Sequence, residues 1–395
     1  MKYLQLSIPS DQFFPPRTAF MARADLTETR LLGYQPLNQD AVTATLCGLM
    51  NGRPTVRHRS GVTAAILQTY ERAGVHVDED LHAYDTAAEA DALAHRLIAM
   101  GYRLTAPYPT AEGRFPKGAM LVPNDLWRTL NDKTNLARIV PEGHVMARQI
   151  VALCDVPDLA AHGPVWIKAA GGLATGWGFA VRFCPDADAR ARAAADFAAM
   201  GGITHVIVEA DADADHCWCA SIVVRDDDTL FAGFAEQEFA SPGRQAGSVI
   251  DPDHPIPAVA QSLAVDVGNA ARAMGFRGMA GLDIGLARDG RLIVFDPNFR
   301  FNSSSAQALL HGSASRRAAL PASRSCQVES ALPMATLIDR ATQAIDAGWF
   351  VPTRLLDASL LPAAAGQSRV TGFVLGADLA DTRDRAAKFD AMLQS

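Results

Sequence analysis

Long hydrophobic runs are missing from this sequence. No apolar stretch approaches the roughly 18 residues that span a bilayer, and the opening Met-Lys-Tyr-Leu-Gln-Leu-Ser-Ile-Pro carries no full apolar signal segment. A cytoplasmic protein with no membrane partner is expected. Cysteine is sparse: Cys47, Cys154, Cys184, Cys217, Cys219 and Cys326 are scattered over 395 residues without framework spacing, which suits reduced thiols rather than disulfides. Positive charge is in deficit, with 36 Lys and Arg against 43 Asp and Glu and a formal net charge of -7. That balance disfavours nucleic acid as the main partner and leaves room for a small, metal-neutralised anion. Internal repeats and low-complexity tracts are absent. So are the Walker A pattern and G-x-G-x-x-G, which removes the P-loop and dinucleotide fingerprints. What remains is a globular composition, 49% apolar and 20% charged, in a chain long enough for two or three domains.

The first third alternates short apolar runs with helical patterns. Tyr3–Ile8, Leu81–Asp85 and Tyr102–Pro107 read as strands, and Gly61–Ala73 and Ala87–Met100 as helices, the α/β rhythm of an open sheet. A Pro- and Gly-rich stretch, Tyr108–Gly118, marks a boundary, followed by a helical pattern from Asn124 to Ile139. From Pro164 the texture turns to short strands, interrupted by helices at Ala187–Met200 and Pro257–Met274. Asp289-Gly290 is a hairpin turn signal between strands Gly281–Ala287 and Arg291–Asp296. The Ser- and Arg-rich segment His311–Ser330 reads as a surface loop or mobile lid, and the chain closes with a helix at Met334–Ala347 and a strand and helix over Val370–Leu393.

The hairpin carries the most chemistry. Asp283 lies in one strand, while Asp296 and Asn298 lie two residues apart in the other and share a face. Two carboxylates and an amide oxygen suit Mg²⁺, which commonly takes one or two carboxylates and completes its shell with water and phosphate. Arg300, two positions on, brings a fixed cation beside them. The same residues also read as surface charges with Arg300 as their salt-bridge partner, and the hairpin alone does not decide. Lys168 sits in an apolar strand pattern, where an ammonium needs a partner. A loop with Gly171, Gly172, Gly176 and Gly178 follows, whose backbone N–H groups are able to cradle phosphate. Lys133 follows Asp132 at the start of a helical turn. Val206–Glu209 is an apolar strand ending in a carboxylate, followed by Asp211, Asp213 and Asp215. A calcium loop does not fit that run, because His216 stands where Gly is needed and Ile222 where Glu is needed. Cys217 and Cys219 beside His216 read as core thiols, since no second Cys/His pair sits nearby for zinc.

Taken in order, Asp132-Lys133, Ile167-Lys168 with its Gly-rich loop, Val208-Glu209, Leu282-Asp283 and Phe295-Asp296-Pro297-Asn298-Phe299-Arg300 resemble the ATP-grasp superfamily over roughly residues 124–310. The resemblance implies ATP in a cleft between two α+β subdomains. It implies Lys133 and Lys168 on the nucleotide phosphates with Gly171, Gly172 and Gly176 around them, Glu209 at the adenine and ribose hinge, and Asp283, Asp296 and Asn298 on Mg²⁺, with Mn²⁺ as the alternative. Arg300, and Lys168 with it, would act on the reacting group. Three departures stand out. Most relatives carry Glu where this chain has Asp296; His216 occupies the place of a second ribose-side carboxylate, for which Asp213 or Asp215 would substitute; and Gly281 stands where D-alanine:D-alanine ligases carry Arg.

The expected fold is therefore α/β, α+β in the central part, with an N-terminal open-sheet domain (1–118), a first ATP-grasp subdomain (119–205) and a second one with a C-terminal strand-helix extension (206–395). The expected activity is ADP-forming ligation of a carboxylate to an amine, both small molecules, with amino acids of specialised metabolism as the expected substrates. A bicarbonate-using carboxylase-like enzyme and a non-catalytic nucleotide-binding protein are the alternatives. A homodimer is the default assembly.

Overall fold

A computed structural model of the chain describes residues 2–22, 47–160, 163–171, 180–361 and 367–394. The first sheet is built from β1 (Thr18–Met21), β2 (Pro54–His58), β3 (Asp80–Tyr84) and β4 (Arg103–Thr105), in the order β3-β2-β1-β4. All its pairings are parallel. Parallel neighbours need long crossovers: helix α1 (Ala64–Ala73) lies in the one from β2 to β3, and α2 (Ala87–Ala99) connects the two edge strands, β3 and β4. Local sequence fixes both helices. Thr63 caps α1 and Gly74, at φ +84°, ends it; Thr86 and Glu89 form a reciprocal capping box on α2. Tyr3–Ile8, expected as a strand, joins no ladder. Leu4 N–H donates to the Gly74 carbonyl and Ser7 N–H to that of Leu309, so the burial of Leu4 and Ile8 reflects packing rather than sheet formation.

Helix α3 (Asn124–Asn131) leads into a 3-10 turn, Lys133–Arg138, capped by Asp132. A small antiparallel sheet follows: β5 (Arg148–Ala152), β6 (Val165–Ala169), β7 (Val181–Cys184) and β8 (His205–Ala210), ordered β5-β8-β6-β7. Helix α4 (Ala187–Met200) places Phe197 in a core with Ile167 and Val206. Because β8 hydrogen-bonds to both β5 and β6, a division at 205/206 would sever it from its partners; the small sheet runs to Ala210.

The remaining strands form one eight-stranded sheet. They are β9 (His216–Val224), β10 (Thr229–Ser241), β11 (Arg244–Ile250), β12 (Gly278–Leu286), β13 (Leu292–Asn298), β14 (Ala322–Ser330), β15 (Phe350–Leu356) and β16 (Ser368–Gly376), ordered β13-β12-β9-β10-β11-β14-β16-β15. Helix α5 (Ala258–Ala273) buries Leu263 and Val267 against Ile222 and Leu282. Helices α6 (Ser305–Ala318), α7 (Met334–Asp346) and α8 (Leu379–Gln394) complete the unit. The lid expected at His311–Ser330 is not there: that stretch is the second half of α6 and strand β14. Leu309, Leu310 and Ala314 bury α6, while β14 pairs with β11 and β16, a long-range match that local composition does not reveal. Among the described residues, no helix is long and apolar enough to cross a membrane.

Candidate active site

The hairpin forms in register. Asp283 lies directly across from Asp296 and Gly281 across from Asn298, with a bulge at Phe295. Burial, and then the Asp296 charge, push the Asp283 carboxyl up to about 7, against the opposing pull of Gln237 and Lys133. Two carboxylates that resist sharing negative charge create a demand for a cation. Part of it is met by Lys133, whose Nζ lies 2.7 Å from Asp296 Oδ1. Each residue of the Asn131-Asp132-Lys133 segment has a separate task. Asn131 Oδ1 accepts from Phe299 N–H at 2.9 Å and ties α3 to the hairpin; Asp132 caps the turn by accepting from Thr134 N–H; Lys133 reaches the acid.

The small sheet supplies the opposite charge. Lys168 Nζ donates to Glu209 Oε1 at 2.6 Å and lies 5.8 Å from the Phe295 ring centroid. Glu209 is only 1% exposed, and its Oε2 lies 2.5 Å from Arg148 Nη2. Arg148 also donates to the Lys133 carbonyl at 3.0 Å. Strand register explains the triad: Arg148 is the direct cross-strand neighbour of Glu209, and Lys168 its diagonal neighbour. Two cations on one carboxylate leave this wall with a net positive charge. Glu209, expected at the sugar, is thus engaged with Lys168 and Arg148. Gly171, at φ +101°, has open space where a side chain would project; Gly172, Gly176 and Gly178 lie outside the described residues.

Arg300 is held from two sides. Its Nη2 donates to Asn298 Oδ1 at 2.7 Å, and its guanidinium lies 5.1 Å from the ring centroid of buried Tyr108. The following residue, Phe301, meets Phe13, Phe14 and Phe20 edge-on, which fastens the N-terminal segment to the hairpin's end. Gly281 also has a structural cause. A Cβ there would come within 2.0 Å of Asn302 Nδ2, the group that donates to Cys219 Sγ. Burial pushes the Cys217 and Cys219 thiols well up; Cys219 is buried, Cys217 is half-buried, and both border the cleft rather than lying wholly in the core. His216 pairs with Glu236 at 2.6 Å. Asp211 accepts from the Trp166 indole at 2.8 Å, and Asp213, held at φ +47°, pairs with Arg288. Both line the cleft; Asp215 does not.

All seven charged or amide groups singled out from the sequence, Lys133, Lys168, Glu209, Asp283, Asp296, Asn298 and Arg300, border one cavity of about 900 Å³. Sequence reasoning missed Arg148, Asn131 and Tyr108, whose roles depend on partners distant in the chain. The donor set suits a divalent cation with phosphate. Two carboxylates face each other, and Asn298 Oδ1, with one lone pair directed to Arg300, has another to give. Among the described residues no three His, Cys, Asp or Glu side chains cluster as a metal cage.

Fold and cleft together are of the ATP-grasp kind, the architecture of the ligase family whose models match this chain. More particularly, residues 10–128 match the L-aspartate--L-methionine ligase N-terminal domain and residues 147–298 the L-aspartate--L-methionine ligase ATP-grasp domain. A search of curated proteins by sequence found no match. Among solved structures the fold is similar to N5-carboxyaminoimidazole synthetase of Staphylococcus aureus bound to ADP, at TM-score 0.57 and 11% identity over 96% of this chain and 98% of that one. It is likewise similar to the L-amino acid ligase of Bacillus licheniformis, at TM-score 0.53 and 8% identity over 96% and 98%. At such identities these structures speak to the fold alone.

Proposed function

We propose that this enzyme joins the carboxylate of one amino acid to the amino group of another, with ATP converted to ADP and phosphate. The observation that carries the reading is the convergence on one cleft of a cationic wall, Lys168 beside Glu209 with Arg148 behind that carboxylate, and an anionic hairpin, Asp283 and Asp296. A nucleotide polyphosphate with its divalent cation has the complementary charge pattern. Lys133 and Lys168 hold phosphate oxygens, with Glu209 and Arg148 keeping Lys168 in place. Asp283, Asp296 and Asn298 are the groups that would hold Mg²⁺ or Mn²⁺. When bound, that cation neutralises phosphate charge and polarises the transferring group.

The chemistry is transfer of the γ-phosphoryl group to a substrate carboxylate oxygen, with ADP leaving, because a free carboxylate is a poor electrophile. Attack of the amine nitrogen on the acyl carbon then breaks the bond from that carbon to the bridging oxygen, releasing phosphate and a proton. Catalysis of both steps rests on positioning and charge neutralisation. Arg300 donates to the oxygen on which negative charge develops, a role supported by its contacts with Asn298 and Tyr108 at the hairpin's end. The working units are the N-terminal domain to about residue 118, a first ATP-grasp subdomain extending through Ala210, and a second from there onward. The pairing of β8 supports the later division. Similarity to L-aspartate--L-methionine ligase makes L-aspartate and L-methionine the first substrates to try.

The test is ADP and phosphate release from ATP and Mg²⁺ with pairs of amino acids, with mass spectrometry of the products. A condensed product of mass equal to the two amino acids minus water is expected. AMP with pyrophosphate, turnover that requires bicarbonate, or ATP binding without turnover on any pair would overturn the reading.

A further inference from the structure

Helix α3 has only 8 residues, yet three of its side chains, Asn124, Trp127 and Asn131, follow one another at helical spacing and share one face. Each reaches toward the surroundings of Arg300. Asn124 exchanges two hydrogen bonds with the backbone of Thr110, accepting from its N–H at 3.2 Å and donating to its carbonyl at 2.7 Å. That pins the loop that carries Tyr108. Trp127, itself buried, packs its ring on Tyr108 with centroids 6.0 Å apart. Asn131 Oδ1 accepts from Phe299 N–H, and its Nδ2 donates to the Trp127 carbonyl at 2.9 Å, so the amide is fixed at both ends.

The two contacts described above for the Arg300 guanidinium, with Asn298 and with Tyr108, both lead back to this helix. Phe299 is the residue between Asn298 and Arg300, and its buried ring meets Phe276 edge-on at 4.9 Å. A hydrogen bond to its N–H therefore sets the backbone from which both neighbours project. Trp127, Phe299 and Arg300 border one small cavity of about 20 Å³, which places the helix face against the hairpin's end. On the other side of the guanidinium stands Tyr108, held in turn by Trp127 and, through Thr110, by Asn124. One short helix thus fixes the base of Arg300 and the ring beside its head.

We propose that Asn131 is a positioning residue for Arg300, acting with Asn124 and Trp127 on the same face of α3. The helix sets the hairpin's end and Tyr108 together, and through them the reach of the guanidinium toward the reacting group. This deepens the ligase reading above and rests on it. Misplacing such a donor by about 1 Å costs on the order of 100-fold in rate, and it does so without loosening a nucleotide held by other residues of the cleft.

The experiment uses the full chain, labelled with ¹⁵N at arginine for nuclear magnetic resonance. The Nε–H signal of Arg300, identified by its absence in Arg300→Lys, reports the place of the guanidinium over the Tyr108 ring, and that of Arg190, buried on α4, reports folding. In Asn131→Ala the Arg300 signal shifts or broadens while the Arg190 signal stays. Asn131→Asp, which keeps the accepting oxygen, returns it toward the wild-type position, and Asn124→Ala moves it less. With a pair of amino acids that supports turnover, Asn131→Ala lowers kcat by about 10- to 100-fold and leaves affinity for an ATP analogue within about threefold. In the Arg300→Lys background the same change costs less than about threefold, because the two residues act as one unit. An Arg300 signal unmoved in Asn131→Ala overturns the proposal, as does a loss of kcat that persists in full in the Arg300→Lys background. If Asn131→Ala loses the Arg190 signal, Asn124→Ala decides by the same readings. A wild type without turnover on any pair counts against the ligase reading, and the Arg300 signal then judges the positioning alone.

Discussion

Asp283→Asn should stabilise the protein in the absence of metal, and only above a defined pH. The structure places Asp283 opposite Asp296 in a partly buried hairpin, and burial and that neighbouring charge raise its carboxyl to about 7. An unfolded aspartate titrates near 3.9. Below about pH 4 both states carry the proton, and Asp283 imposes no difference. Between about pH 4 and 7 the native state holds a proton that the unfolded chain has released, so stability falls as pH rises. Above about 7 the whole penalty of ionising Asp283 beside Asp296 is present. A tenfold change in acidity corresponds to about 1.4 kcal/mol, which puts that penalty on the order of 2 to 4 kcal/mol. Asparagine keeps the size of the group and has no proton to release. Melting curves of metal-free wild type and variant, from pH 5 to pH 8, are expected to diverge, with Asp283→Asn higher by roughly 2 to 5 °C at pH 8. Adding Mg²⁺ and an ATP analogue should restore the wild type and leave the variant where it was. A gap that stays constant between pH 5 and pH 8, or a wild type that is the more stable at pH 8, would refute the argument.

Two other regions give equally direct expectations. Tyr108 contacts Arg300 through its ring, so Tyr108→Phe should keep kcat while Tyr108→Leu, which removes the ring, should lower kcat/KM by about 2- to 30-fold with ATP affinity unchanged; steady-state kinetics of the two variants decides. In the N-terminal sheet, Arg57 and Glu79 form an ion pair with both side chains 0% exposed, and Glu79 also accepts from Gly48 N–H and Thr55 Oγ1. Arg57→Met alone should cost about 3 to 5 kcal/mol by stranding the glutamate, and the double change Arg57→Met with Glu79→Leu should cost less than the sum of the singles. Denaturant titration of the four proteins measures that difference; strict additivity would contradict it.

Much of the site was legible because its parts lie in short segments whose chemistry is local. Asp296 and Asn298 sit on a hairpin announced by Asp289-Gly290, so alternation gives their shared face, with Arg300 two positions on; that Asp283 faces Asp296 depends on the strand register. Lys168 was conspicuous as an ammonium in an apolar strand. Its partners were not. Arg148 lies 61 positions before Glu209 and Tyr108 192 before Arg300, and no local pattern encodes either contact. The misreading of His311–Ser330 has a physical source too. Helix α6 is buried largely through small residues such as Ala306, Ala308 and Ala314, and β14 is a polar strand, Ala-Ser-Arg-Ser-Cys-Gln-Val-Glu-Ser, that becomes regular only through pairing with β16. Strand β5, with Gln149 and Ile150 exposed on adjacent positions, lacks the alternation by which a strand is recognised.

The central claim is that the substrate carboxylate is activated by the γ-phosphoryl group. It is tested most directly by supplying the acid substrate with ¹⁸O in its carboxylate and analysing the released phosphate by mass spectrometry. One labelled oxygen in inorganic phosphate, in proportion to product formed, is the predicted result, because the bridging oxygen leaves with phosphorus when the amine attacks. Label in AMP, or phosphate released without label as the amide accumulates, would contradict the account.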